Sequence, residues 1–164
     1  MKSAAVIYIC SGGYKIFWKE FYLSSEKFFL PEIQKRYFVF TDSKEIIEEH
    51  KKNVQTFYCS HIGWPYDVLE KWSCICRVQD LLRNFDYIVL CNANMEFISE
   101  FRIDKLNKGD LTIWSTTVSD TQSSAMNHER NSKSKACIPL DAKTEFYYGS
   151  GFVFGKTEPF LKMS

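Results

Sequence analysis

The sequence predicts an α/β domain with a mostly parallel central sheet flanked by helices, and three observations carry that prediction. Short apolar runs rich in β-branched and aromatic residues (6–10, 37–40, 54–58 and 86–91) alternate with longer stretches whose apolar residues recur at helical spacing. The runs lack inside–outside alternation, as expected of strands buried on both faces of a parallel sheet. No repeat and no compositionally biased linker interrupts the 164 residues, so the chain reads as one domain, 1–164. In such sheets ligands bind beyond the carboxyl ends of the strands.

Taken in order, residues 6–10 form the first buried strand. Tyr14, Phe17, Trp18, Phe21, Tyr22 and Phe28 then mark one face of a helix over 14–29. Residues 37–40 are the second strand. Thr41-Asp42-Ser43 caps a charged helix, with Glu45 three residues after Asp42 as in a capping box. Residues 54–58 are the third strand. Trp64-Pro65 opens a long helix, proline suiting its first turn, with Val68, Leu69, Trp72, Ile75, Cys76, Leu81 and Leu82 expected on its inner face. The strand at 86–91 ends at Asn92-Ala93-Asn94, and further apolar segments follow at 95–98, 111–114 and 152–154. The Ser-, Asn- and Lys-rich stretch 115–135 reads as a mobile loop.

Composition excludes several classes. A net charge of +1 offers no electrostatic footprint for nucleic acid or a membrane surface. No apolar run is long enough to span a bilayer, and residues 1–10 are too short for an export signal, so a cytoplasmic location is expected, peripheral to the inner membrane at most. The six cysteines lack zinc-site spacing and read as buried free thiols. The three histidines (His50, His61, His128) show neither metal spacing nor a triad pattern. Gly149-x-Gly151-x-x-x-Gly155 has the wrong spacing and place for a dinucleotide fingerprint, and Ser132-x-x-Lys135 is a chance product of a Ser/Lys-rich loop.

Asn92-Ala93-Asn94 sits at a strand end, where sugar-nucleotide transferases carry a metal-binding Asp-x-Asp. Asparagine keeps the shape and one carbonyl oxygen but loses the charge, so a hard cation would be held poorly. The amide NH₂ groups can donate directly to phosphate or sugar oxygens. Asparagines at a strand end also serve simply as turn formers.

Five segments, in order over nearly the whole chain, resemble glycosyltransferase family 6, which includes the blood-group A and B enzymes. They are residues 14–29 (YKIFWKEFYLSSEKFF), Tyr37-Phe38-Val39-Phe40-Thr41-Asp42, and Phe85-Asp86-Tyr87-Ile88 leading to Asn92-Ala93-Asn94-Met95-Glu96-Phe97. The others are Glu129-Arg130 with Ser134, Ala136 and Ile138-Pro139, and Phe146-Tyr147-Tyr148-Gly149-Ser150-Gly151-Phe152. Asn-x-Asn together with Gly63-Trp64-Pro65 resembles the family's bacterial branch. The resemblance implies a GT-A-like fold and a retaining, metal-independent α-1,3-hexosyltransferase moving GalNAc or Gal from a UDP-sugar donor to an oligosaccharide acceptor.

Carried over residue by residue, the resemblance implies that Ile9, Cys10 and Ser11 offer backbone groups to uracil and that Tyr14 stacks on the base, though core packing would also suit this tyrosine. Val68 would line the nucleotide pocket. Lys71 stands where bacterial relatives have arginine, so it is the candidate cation for the departing diphosphate, against a solvated helix lysine as the plain alternative. Asn92, Ala93 and Asn94 would hold the diphosphate. Gly149 and Gly151 stand where the family sets donor choice, and Glu145 would touch the donor sugar. Trp114 and Ser115 fall at the acceptor positions. The resemblance implies that family members continue to a Trp-His-Asp-Glu-Ser-His segment whose glutamate is the nucleophile or stabiliser at the anomeric centre. This chain stops at Lys162-Met163-Ser164, so the expectation is a fold truncated at the C-terminus whose catalytic carboxylate lies beyond the chain end. The alternative expectation is a truncated domain that binds UDP or UDP-sugar without transfer.

Overall fold

β1 (Ser3–Ile9) carries the centre of the sheet, and its composition fits that place. In the computed structural model, which describes residues 2–43, 52–63, 65–106, 109–117, 129–142 and 146–163, Ala4 through Tyr8 are wholly buried. The strand pairs in parallel with β2 (Gln34–Thr41) on one side and β4 (Tyr87–Cys91) on the other. β2 pairs in parallel with β3 (Val54–Tyr58), whereas β4 pairs antiparallel with β6 (Phe146–Lys156). With β5 (Leu111–Thr117) the six strands run in the order β3-β2-β1-β4-β6-β5. The mostly parallel α/β architecture expected from the unalternated apolar runs is therefore present.

Two units cluster separately: residues 1–112 with 151–164, and residues 113–150. In the first, a 3₁₀ turn (Gly12–Phe17) leads into α1 (Trp18–Phe28), where a single helix over 14–29 was expected. The inner face of α1 is Trp18, Phe21, Tyr22, Ser24 and Ser25, while Tyr14 and Phe17 are exposed. Trp18, Phe21 and Tyr22 pack ring against ring on Tyr37, and Phe21 stacks on Tyr8 with centroids 4.2 Å apart. This cluster covers one face of the sheet. Tyr37 brings its hydroxyl into it by donating to Glu26 Oε1 and pairing with the Ser25 hydroxyl, both at 2.8 Å. Residues 95–98 form no strand. Phe97 instead inserts its ring against Phe21 and Phe29.

The opposite face carries α2 (Tyr66–Leu82), whose buried residues are Lys71, Cys74, Ile75, Val78 and Leu82. This corrects the sequence expectation, because Val68, Leu69, Cys76 and Leu81 are exposed. The apolar residues of α2 spread around more than half its circumference, and the face the sheet selects is the 3-1-3-4 spacing that includes a lysine. α3 (Ile103–Leu106) and α4 (Thr157–Met163) complete the unit, with Phe160 of α4 fully buried. No described helix is long and apolar enough to cross a membrane. The charged helix expected after Ser43 lies outside the described residues. Among the described residues, the Asp42 carboxylate accepts the Gly12 N–H at 3.1 Å.

In the second unit, Ser115 belongs to β5 rather than to a loop, and residues 129–142 are held by their own hydrogen bonds. Arg130 donates to the carbonyls of Ile138 and Pro139 at 2.7 and 2.9 Å, and the Ile138 N–H returns to Glu129 O at 2.9 Å. Ser134 Oγ accepts from the Ala136 N–H. Glu129, Arg130, Ser134, Ala136 and Ile138-Pro139 therefore form one clasp, which gives that pattern a local structural role.

β6 is fixed at its far end by Gly155, where a Cβ would meet Leu111 Cδ1 at 2.8 Å and the Asp110 carbonyl at 2.9 Å. Backbone cannot retreat as a side-chain tip can, so Gly155→Ala is expected to lose about 1–3 kcal/mol of stability in urea unfolding. An unchanged midpoint would mean that residues 110 and 111 shift freely.

Candidate active site

The strand order places a crevice before any residue is named. From β1 the chain moves outward to β2 and β3, then returns to the other side of β1 as β4. The loops leaving the carboxyl ends of β1 and β4 thus diverge, which is the switch point where open parallel sheets bind ligands. Ile9-Cys10-Ser11 and Asn92-Ala93-Asn94 are those two strand ends.

The second of them is pinned from below. Tyr8 donates its hydroxyl to the Ala93 carbonyl at 2.8 Å within the core. Burial pushes that hydroxyl well above the ordinary tyrosine pKa, so it remains a donor. The Asn92 N–H donates to Gly151 O at 2.8 Å, and the Met95 N–H closes the turn on Asn92 O at 3.3 Å. Ala93 is buried while Asn92 and Asn94 on either side are exposed. The Asn92 amide lies over Gly151, where a Cβ would sit 3.0 Å from its Nδ2. Turn forming and ligand presentation are thus compatible in one tripeptide.

At the end of β1, the Cys10 N–H donates to Phe40 O at 2.8 Å and its carbonyl accepts the Thr41 hydroxyl at 3.1 Å. The carbonyl keeps a second lone pair for a ligand. Burial pushes the Cys10 thiol up to about 12, so it is no nucleophile at neutral pH. Ile9 is half-buried, and Ser11 is buried with its carbonyl accepting the Tyr14 N–H at 3.2 Å. Tyr14 stands half exposed on the 3₁₀ turn, which removes the core-packing alternative.

Val68 is likewise exposed rather than core. Lys71 is buried, not a solvated helix lysine, and desolvation lowers its pKa. Gly149 and Gly151 lie on β6, while Trp114 and Ser115 are consecutive residues of β5. The side chains of Trp114 and Ser115, and all of Trp64, Glu145, His50 and His128, lie outside the described residues. All six cysteines are free, four of them buried, with Cys76 exposed and Cys137 half-buried. Among the described residues no group of three His, Cys, Asp or Glu side chains could hold a metal ion.

Residues 4–164 match the model of glycosyltransferase family 6. The chain belongs to that family. It is 32% identical over 158 residues to the O-antigen biosynthesis glycosyltransferase WbnI of Escherichia coli, an alignment covering 96% of this chain and 68% of that protein. This family 6 member is therefore a glycosyltransferase, which takes a sugar from a donor and passes it to a glycan acceptor.

Several residues that shape the crevice of this glycosyltransferase escaped the sequence. Gly12 adopts φ +58, and a Cβ there would meet the His61 ring at 2.9 Å. His61 Nδ1 pairs with Asp67 Oδ2 at 2.8 Å, and Asp67 also accepts the N–H groups of Ile62 and Gly63 at 2.9 and 3.1 Å. Asp42 holds the Gly12 N–H and faces Lys15 at 3.8 Å. The loops after β1, β2 and β3 are thus joined around one glycine. The available signals were Gly12-Gly13 directly after a strand and an aspartate in the first turn of α2.

Gly12→Ala combines a left-handed backbone with a ring collision, so it is expected to cost about 2 kcal/mol or more in thermal or urea unfolding. Adding His61→Ala should recover the part due to the collision and leave the backbone part. Equal stability of Gly12→Ala and wild type would remove this linchpin.

Proposed function

We propose that this glycosyltransferase is a retaining α-1,3-hexosyltransferase that moves GalNAc or Gal from a UDP-sugar to an oligosaccharide without a metal ion. The observation that carries the reading is the Asn92-Ala93-Asn94 turn at the switch point, with Ala93 pinned and both amides exposed. In this reading Ile9, Cys10, Ser11, Tyr14 and Val68 receive the uridine, and Asn92, Asn94 and Lys71 receive the diphosphate. The bond from the anomeric carbon to the distal phosphate breaks, and the acceptor hydroxyl forms the new bond and gives up its proton. Amides and an ammonium placed at the leaving group act by stabilising charge that grows in the transition state.

The donor set also argues against a required hard cation. Two neutral amides supply single carbonyl oxygens and no charge, unlike the carboxylates that Mg²⁺ or Mn²⁺ selects. In this reading the small residues Gly149 and Gly151, at the positions where the family sets donor choice, favour GalNAc over Gal. The relative's part in O-antigen biosynthesis supports an acceptor of the O-antigen kind.

Calorimetric titration with UDP and UDP-GalNAc in EDTA, with product analysis on the same sample, tests this directly. Binding of both ligands in EDTA is the expected result, an α-1,3-linked product would show that this chain carries all that transfer needs, and Asn92→Asp/Asn94→Asp should acquire Mn²⁺ dependence. Binding without product would leave a donor-binding domain. A wild-type requirement for a divalent ion would sink the metal-independent reading.

Lys71 makes a separate prediction. Its folded pKa lies below the unfolded value of 10.5, so the unfolded state holds more protons between the two values. Its contribution therefore makes stability rise with pH across that window. Lys71→Met should remove this part of the slope in pH-dependent unfolding. It should also weaken UDP binding by about 1.5–3 kcal/mol, the worth of a charge-assisted bond. Unchanged UDP affinity would assign Lys71 a structural role alone.

A further inference from the structure

Two thiols meet beside the crevice, and the reaction above uses neither. Cys59 follows β3 directly, and its N–H donates to Thr41 O at 3.1 Å. Cys74 lies on the buried face of α2, three residues after Lys71. The Cys74 thiol donates to Cys59 Sγ at 3.6 Å, and both cysteines are free. Cys59 is 5% exposed, yet it lines a cleft of about 210 Å³ with Tyr58, Ser60, Ile62, Glu70 and Arg77. Cys59 therefore borders an open cleft, while Cys74 is fully buried.

We propose that Cys59 and Cys74 are a redox-active dithiol whose reversible disulfide draws α2 toward the strand end after β3 and weakens binding of the donor nucleotide. The coupling to the nucleotide rests on the donor-site reading of Lys71. The oxidant is a low-molecular-weight disulfide such as oxidised glutathione. The Cys59 thiolate attacks one of its sulfurs and expels a glutathione thiolate. The Cys74 thiolate then attacks the Cys59 sulfur of the mixed disulfide and expels the second. The protein loses two electrons and two thiol protons, and these end in two glutathione thiols.

A disulfide brings its sulfurs to about 2.0 Å, so this pair must close by about 1.5 Å from 3.6 Å. Lys71 shares the buried face of that helical turn and moves with it. Burial pushes Cys74 up to about 12 and raises Cys59, with Arg77 opposing the shift and Glu70 adding to it at both thiols and Asp67 adding to it at Cys59. Exchange is therefore slow at neutral pH and accelerates as pH rises toward those values.

The test uses the full chain carrying Cys76→Ser and Cys137→Ser, which removes the more accessible thiols. After incubation with oxidised glutathione and alkylation, tryptic mapping should join the peptide ending at Lys71 to the peptide from Trp72 to Arg77. Dithiothreitol should release them. Calorimetry should show UDP affinity about tenfold lower in the oxidised form, equivalent to one weak charge-assisted bond, and restored on reduction. Cys59→Ser and Cys74→Ser should be insensitive. Glutathione held on Cys59 without the cross-link overturns the proposal, and so does a cross-link that leaves UDP affinity unchanged. A reduced protein that binds no UDP would instead remove the donor reading, and with it the coupling, while the peptide map still decides the disulfide.

Discussion

The hydrogen bond from the Tyr8 hydroxyl to the Ala93 carbonyl joins the two strand ends on which the site depends. It runs from the most buried strand of the sheet to the turn after β4, and the ring that carries it is stacked on Phe21 of α1. Moving the turn would require either breaking a bond inside the core or shifting the aromatic cluster beneath it. Core packing of this kind has few alternative arrangements. The position of Asn92-Ala93-Asn94 is thus set by the same contacts that hold α1 on the sheet. A site supported by a rigid scaffold needs little reorganisation when charge develops at its edge.

The strands were legible because a parallel sheet buried on both faces leaves a simple trace, an apolar run without alternation. Residues 6–10, 37–40, 54–58 and 86–91 each contain or overlap an observed strand. The helices were less legible, and α2 shows why. Hydrophobicity alone gathered Val68, Leu69 and Leu81 onto an inner face, whereas the face against the sheet includes Lys71. A long side chain can bury its methylenes and still be sorted by sequence as a surface residue. The 3₁₀ turn before α1 was missed for a related reason, since Tyr14 and Phe17 continue the helical spacing but stay exposed.

The site was legible in part. Asn92-Ala93-Asn94 could be placed at a strand end from the sequence, because the run before it is short and wholly apolar. The contacts that hold the crevice together could not. Gly12, Asp42, His61 and Asp67 are far apart in the chain and meet through loops, where no periodicity reports a neighbour. Local patterns report elements, and pairings between loops are fixed by the topology that assembles those elements.

Burying Lys71 has a cost, because desolvation disfavours its charged form and lowers its pKa. In the proposed reading an arriving diphosphate would offset part of that cost by favouring the ammonium form. In the same reading the asparagine amides would add directed donors without adding charge. A carboxylate pair would instead have to be neutralised by a bound cation before any phosphate could approach. In the proposed reading, amides on the turn and a positive charge on a buried side chain together meet the diphosphate with no metal between them.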